Sequence, residues 1–235
     1  MERVVKSELL DELPPDDPSA IGSRRDIHRL NYLMGNLGTL FYLLHAGKLA
    51  RPPRRVVELG AGDGTFMLRL ARYLARHWKH VEVVLVDRRN VVTNETREGF
   101  AALSWSTQVV TADVFDWLRE PSREDVDAMM ANLFLHHFSG PRLSELLRLA
   151  AARTRVFAAC EPWRTRTGLA FSRMLRLIGC NAVTCHDAVA SVRAGFAGRE
   201  LSALWPAEGQ WRLREQTAKL FTHAFVAERA EQSYA

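Results

Sequence analysis

No apolar run in this 235-residue chain reaches the ~18 residues needed to cross a bilayer. The opening Met1-Glu2-Arg3 lacks the pattern of a signal peptide. Neither a membrane span nor a leader is expected, and a cytoplasmic location is. Cysteine is scarce: Cys160, Cys180 and Cys185 are odd in number and lack paired metal-ligand spacing. That argues against a disulfide framework and a metal site, and fits a reducing compartment. Lysine is nearly as rare, with 4 Lys against 28 Arg, and the net charge is +5. The arginines are scattered instead of blocked, so a solvated basic surface is expected and nucleic acid is not indicated as a partner. Internal repeats and low-complexity tracts are absent too.

What is present is concentrated in Val56-Val57-Glu58-Leu59-Gly60-Ala61-Gly62-Asp63-Gly64-Thr65. A β-branched run ends in an acid, and three alternate glycines lead into a helical pattern. Glycine has no Cβ and tolerates positive φ, so such a turn lets backbone approach a ligand closely. A dinucleotide fingerprint is G-x-G-x-x-G; here the third glycine comes one residue early, at Gly64. Glu58 at the strand end would repel a phosphate and attract an ammonium. The spacing therefore points to a zwitterionic nucleoside.

The chain is long enough for one α/β domain with additions. Residues 1–22, broken by Pro14, Pro15 and Pro18, read as an extended or loosely docked arm. Ser23 and Asp26 read as a capping-box variant opening a helical run from about 24 to 46, with Gly35 and Gly38 as break points and Gly47 closing it. Pro52-Pro53 mark a boundary. Strands are then expected at 55–59, 81–86, 108–111, 126–132 and 155–160, with helices at 65–75, 90–103 and 141–152 between them. A helical segment at 169–178, a helix over 189–204, and strands at 211–216 and 220–228 complete the pattern. This predicts a residue 1–50 arm and helical cap and a residue 51–235 domain with a helical insertion at about 163–185. Alternation of this kind makes a mostly parallel sheet with crossover helices.

From Arg54 to Glu161 the chain resembles the class I S-adenosylmethionine (SAM)-dependent methyltransferases, whose first motif is E/D-x-G-x-G-x-G. The resemblance implies a Rossmann-like α/β fold, a seven-stranded sheet with an antiparallel last strand, and SAM as cofactor with S-adenosylhomocysteine as product. It assigns Glu58, Gly60, Ala61 and Gly62 to the cofactor. Asp87, with Arg88 beside it, closes the second strand and takes the ribose hydroxyls; the alternative is an N-cap. Asp113-Val114, closing the third, reads the adenine edge, with Asp116 as a competitor. Asn132 closes the fourth strand near the methionine ammonium. Enzymes that methylate adenine or amide nitrogen carry Pro-Pro-aromatic after that position, and this chain has Leu133-Phe134-Leu135. That departure favours a small-molecule acceptor.

His136-His137 follow, and a histidine of near-neutral pKa suits removal of a hydroxyl proton. His137 matches the catalytic position of phosphoethanolamine-type methyltransferases, which pair it with an N-terminal tyrosine; Tyr32 is the counterpart here. Helix capping is the competing role for the histidines. No acidic cluster of suitable spacing points to a metal. Thr184 to Phe196 and Arg25 to Gly35 resemble a bacterial subgroup carrying H-D-x-x-x-S-V-R-x-x-F and R-D-x-x-R-x-N-x-L-x-G. On that resemblance His186, Asp187 and Arg193 face the acceptor, with Met174 among the apolar residues roofing it; a surface ion-pair network is the competing role. The expected function is O-methylation of a phenolic, polyketide or lipid-like metabolite by a monomer or homodimer. The alternatives are an RNA methyltransferase, in view of the pI near 9.4, C-methylation or cyclisation with SAM, and a non-catalytic partner that binds neither SAM nor its product.

Overall fold

The computed structural model describes residues 1–46, 52–121, 126–208 and 210–230. Gly47, read above as closing a helix, lies outside them. The sheet is built from β1 (Arg55–Leu59), β2 (Glu82–Asp87), β3 (Ser106–Thr111), β4 (Val126–Asn132), β5 (Thr154–Pro162), β6 (Trp211–Ala218) and β7 (Thr222–Arg229). Their order is β3-β2-β1-β4-β5-β7-β6. The first five strands pair in parallel, and β7 runs antiparallel to both β5 and β6. The chain reverses direction across the sheet between β1 and β4. In such sheets ligands sit beyond the carboxyl ends at that switch point.

The Rossmann-like methyltransferase fold expected from the sequence is the fold observed. Strand β1 is apolar on both faces because helices cover both. On one side α3 (Asn36–Ala46), α4 (Thr65–Leu74) and α5 (Asn94–Ala101) bury Leu40, Leu44, Leu70 and Phe100 against Val56 and Val83. On the other, α6 (Val114–Arg119), α7 (Gly140–Arg153) and α10 (Glu200–Leu204) bury Phe115, Leu143, Leu147 and Leu201 against Val57 and Phe157. Leu143, Leu146, Leu147 and Ala150 recur at the spacing of one helical face. Among the described residues no helix is long and apolar enough to cross a membrane.

Outside the sheet layers lie α1 (Leu9–Glu12), α2 (Pro18–Met34), α8 (Arg166–Met174) and α9 (Ala182–Ala194), with a 3₁₀ turn over Leu175–Ile178 between the last two. Helix α2 begins at Pro18 and not at about residue 24, capped by Asp17 Oδ1 on the Ser19 amide at 2.7 Å. Ser23 and Asp26 are instead buried inside it, with Asp26 Oδ2 accepting the Asn181 amide at 2.8 Å. Gly35 ends the helix at φ 69°, whereas Gly38 lies within α3. The helix expected over 189–204 is two, because Gly195 packs against the Pro162 carbonyl where a Cβ would approach its oxygen to 2.2 Å. The six-residue α6, capped by Asp113, was not anticipated.

Candidate active site

The glycine turn after β1 shapes the floor of a cavity of about 590 Å³, within the range typical of small-molecule sites. Gly60, at φ 70°, sits against the Phe134 ring so closely that a Cβ would lie 2.1 Å from it. Gly62, at φ 55°, has nothing within 4 Å of its Cβ direction. Its amide donates to Asp87 Oδ2 at 2.9 Å, and Asp87 Oδ1 accepts the Arg89 amide at 2.9 Å. Glu58 is 2 % exposed and its Oε2 has no hydrogen-bond partner. Burial, with Asp63 and Asp87 adding repulsion, pushes its carboxyl well above the usual range. An unpartnered buried carboxyl beside an open glycine turn fits the ammonium of SAM, whose positive charge would favour its ionised form.

Glu58, Gly60, Ala61, Gly62 and Asp87 all line this cavity, as do Arg88, Asp113, Val114 and Asn132. Asp113 also caps α6, accepting the Phe115 amide at 2.8 Å. The Asn132 side chain is tied to the helices above it. Its Oδ1 accepts from Asn36 Nδ2 at 3.0 Å and its Nδ2 donates to Asn31 Oδ1 at 2.9 Å.

His136 and His137 lie on a 3₁₀ turn after β4 and stack with centroids 4.4 Å apart. His136 is buried between two carboxylates, Nδ1 at 2.7 Å from Glu161 Oε2 and Nε2 at 3.2 Å from Glu8 Oε1. Burial alone would lower its pKa, but the hydrogen bonds to Glu161 and Glu8 override that and hold it at about 9. The same pairing overcomes burial of Glu8 and brings that carboxyl down to about 2. His137 faces the opposite balance: burial first, then the His136 charge, lower its pKa despite Glu8 and Asp11. Its Nε2 is 3.9 Å from Glu8 Oε2 and its Nδ1 is 3.6 Å from Asp11 Oδ2. At neutral pH His136 is therefore a fixed cation and His137 a neutral base.

Glu8 and Asp11 belong to the N-terminal arm, which is strapped down across the cavity instead of being loosely held. Arg3 donates to the carbonyls of Phe138 at 2.9 Å and Ala194 at 2.7 Å. Asp187 accepts the Leu9 and Leu10 amides at 2.8 and 2.9 Å. Arg89 donates to the Leu10 and Leu13 carbonyls at 3.2 and 2.6 Å and to that of Asp11. Ser191 adds a hydrogen bond to Glu8. Glu8, Asp11 and Glu161 were not singled out in the sequence. Glu161 lies next to last in β5, at the same carboxyl edge of the sheet as Asp87 and Asn132; Glu8 carries no signal in the sequence.

Ligand atoms of Glu8, His136 and His137 lie within 4.8 Å of one another, a grouping that the sequence spacing did not show.

Of the acceptor-side residues, Asp187 lines the cavity but holds the arm. His186 points outward with Nδ1 at 2.9 Å from Asp187 Oδ1, and Arg193 is exposed. Neither lines the cavity; Ala188, Ser191 and Val192 take the inward face of α9. Met174 is exposed and likewise outside it. Tyr32 is 82 % exposed and lines a neighbouring groove. Asn31 occupies the inward face of α2 at that level, so the structure does not bring Tyr32 to His137.

Residues 56–155 match the family model described as a methyltransferase domain. Over that stretch, which is less than half of the chain, the protein is similar to the methyltransferase family. Three solved structures share its fold. A protein of Nostoc punctiforme PCC 73102 described as an O-methyltransferase is 15% identical, with TM-score 0.61 over 97% of this chain and 64% of that one. The plantazolicin methyltransferase in complex with SAH is 12% identical, with TM-score 0.61 over 92% of each chain. Mitomycin 7-O-methyltransferase is 16% identical, with TM-score 0.61 over 95% of this chain and 61% of that one. The chain thus spans less than two thirds of the Nostoc and mitomycin proteins. No curated protein matches the sequence. The matched residues end at the start of β5, and the arm, α2 and the α8–α9 segment that line the cavity lie outside them.

Proposed function

We propose that this methyltransferase transfers the methyl group of SAM to a hydroxyl oxygen of a small, largely apolar acceptor, with His137 as the general base. The observation that carries the reading is the position of His137, stacked on His136 and set 3.6 Å from Asp11 and 3.9 Å from Glu8, inside the cavity lined by Glu58, Asp87 and Asp113. When bound, SAM supplies an electrophilic methyl on a sulfonium whose departure leaves a neutral thioether. Glu58 takes the ammonium, Asp87 the ribose and Asp113 the adenine edge. On the acceptor side, Ile27, Leu30, Phe171 and Leu175 give an apolar wall, with Asn31 and Ser191 as polar points. Such a wall suits an aromatic or lipid-like acceptor better than a sugar. The strapped arm covers the site, excludes water and favours an acceptor small enough to be enclosed.

His137 accepts the acceptor's hydroxyl proton as its oxygen bonds to the methyl carbon. Glu8 and Asp11 stabilise the imidazolium that forms, and His136 keeps the resting imidazole neutral. Much of the rate comes from alignment of an activated methyl group under the arm.

The cofactor half of the reading is tested by calorimetry on Asp87→Ala. Expected is about tenfold or greater weakening of SAM affinity, since a charge-assisted hydrogen-bond acceptor is lost, with the fold retained. Unchanged affinity would remove Asp87 from the ribose site.

A further inference from the structure

The outer face of α2 and the 3₁₀ turn after α8 form a surface that the active site does not use. Leu177 is 77 % exposed at the tip of that turn, with Ile178 beside it and Gly179 closing it in a left-handed conformation. Ile178 shares a groove of about 700 Å³ with Tyr32, Leu33, Arg25, Arg29 and Arg69. Arg173 and Arg176 are exposed on the approach to the tip. Arg25, Arg69, Arg173 and Arg176 form no ion pair among the described residues, and the acids nearest in sequence are sequestered. Asp26 is buried inside α2 and Asp63 engages His28. The patch is therefore apolar at its centre and cationic around it, on a chain whose exposed hydrophobics elsewhere need no such rim.

The groove also meets the cavity. His28, Leu30 and Leu33 line both. These three side chains thus form a wall common to the groove and the site beneath the arm.

We infer that this face docks on an anionic lipid bilayer, with Leu177 and Ile178 inserted among the acyl chains and the arginines on the phosphate headgroups. A convex apolar tip set among cations is shaped for a fluid interface; a folded acidic partner would need a matching hollow for Leu177. Apolar insertion together with a basic rim gives the two signals that reversible membrane attachment requires. Displacement of the shared wall of His28, Leu30 and Leu33 would then let a bilayer-dissolved acceptor enter without crossing water. That route rests on the acceptor proposed above. The docking itself rests on the surface alone, so the two fail separately.

The test is co-sedimentation of the full chain with vesicles, read without acceptor or cofactor. Expected is binding to vesicles of equal phosphatidylglycerol and phosphatidylcholine, weak binding to phosphatidylcholine alone, and release at high salt. The double variant Leu177→Asp/Ile178→Asp should weaken partitioning by about 100-fold, since two apolar insertions are lost and two like charges gained. Both positions are exposed, so SAM affinity should be unchanged and shows that the variant folds. Arg212→Glu, at the start of β6 and the opposite end of the sheet, should bind like the parent. No binding to anionic vesicles, equal loss in Arg212→Glu, or full binding by the double variant would each overturn the proposal.

Discussion

Replacing His137 with alanine is expected to lower kcat by about 10²–10⁴-fold, the range for losing a general base, and to leave SAM affinity within about twofold. The expectation follows from position and charge. His137 lines the cofactor cavity, while its attachments run to Glu8 and Asp11 on the arm and not to the glycine turn. The pH profile of the parent carries the same signature. The base must be neutral to act, and its folded pKa is lowered, so the acid limb of kcat should fall below pH 6.5 instead of at it. His136 works in the other direction. Its raised pKa of about 9 means that its ion pairs are complete below pH 6.5 and are lost as pH rises through about 9. An alkaline limb near that value, as the arm loses its hold on Glu8, completes a bell. A profile with its acid limb at or above pH 6.5, or a His137→Ala enzyme of parental kcat, would remove His137 from the chemistry.

The second large effect is expected at Gly60. Valine there must adopt φ near 70° and place its Cβ 2.1 Å from the Phe134 ring. Left-handed strain and overpacking together should destabilise the protein by about 2–5 kcal/mol, read as a shift in denaturant midpoint, and abolish SAM binding. Gly62→Ala is the useful contrast. Its Cβ meets nothing within 4 Å, so it bears only the backbone strain of φ 55°. It should fold, lose about 1 kcal/mol and still bind SAM less tightly, because the proposed cofactor site includes that open space. Stability losses of equal size at both positions would contradict this division of labour.

These two residues also show what the sequence discloses. Gly60, Gly62 and Glu58 were legible because a strand, a turn and a helix are local, and the constraint on each residue comes from its immediate neighbours. The parallel sheet was legible for a related reason: buried strands read as short apolar runs at regular intervals. Glu8 was not legible. It stands 128 residues from His136, in a segment whose composition reads as an unattached arm. What fastens that segment is mostly backbone carbonyls and amides held by Arg3, Arg89 and Asp187, and backbone groups leave no mark in a sequence pattern. Tyr32 failed for a geometric reason. Residue type and distance along the chain matched a partner for His137, but which side of α2 turns inward is decided by the Asn31–Asn36–Asn132 contacts. His186 and Arg193 were misplaced in the same way, out of phase with the face of α9 that meets the cavity. The strong local signals belong to residues that line one cavity, and the rest of its wall depends on contacts between distant segments.

The most direct measurement is label transfer. The protein is supplied with methyl-labelled SAM and a panel of phenols, catechols, resorcinols with alkyl chains, carboxylic acids and polyketide lactones, and products are resolved by mass and by carbon NMR. Expected is a labelled methyl ether from at least one hydroxyl-bearing, largely apolar member, with transfer reduced in His137→Ala. Labelled methyl bonded to carbon, or SAM bound tightly with no label leaving it for any member, would contradict O-methylation by a histidine base.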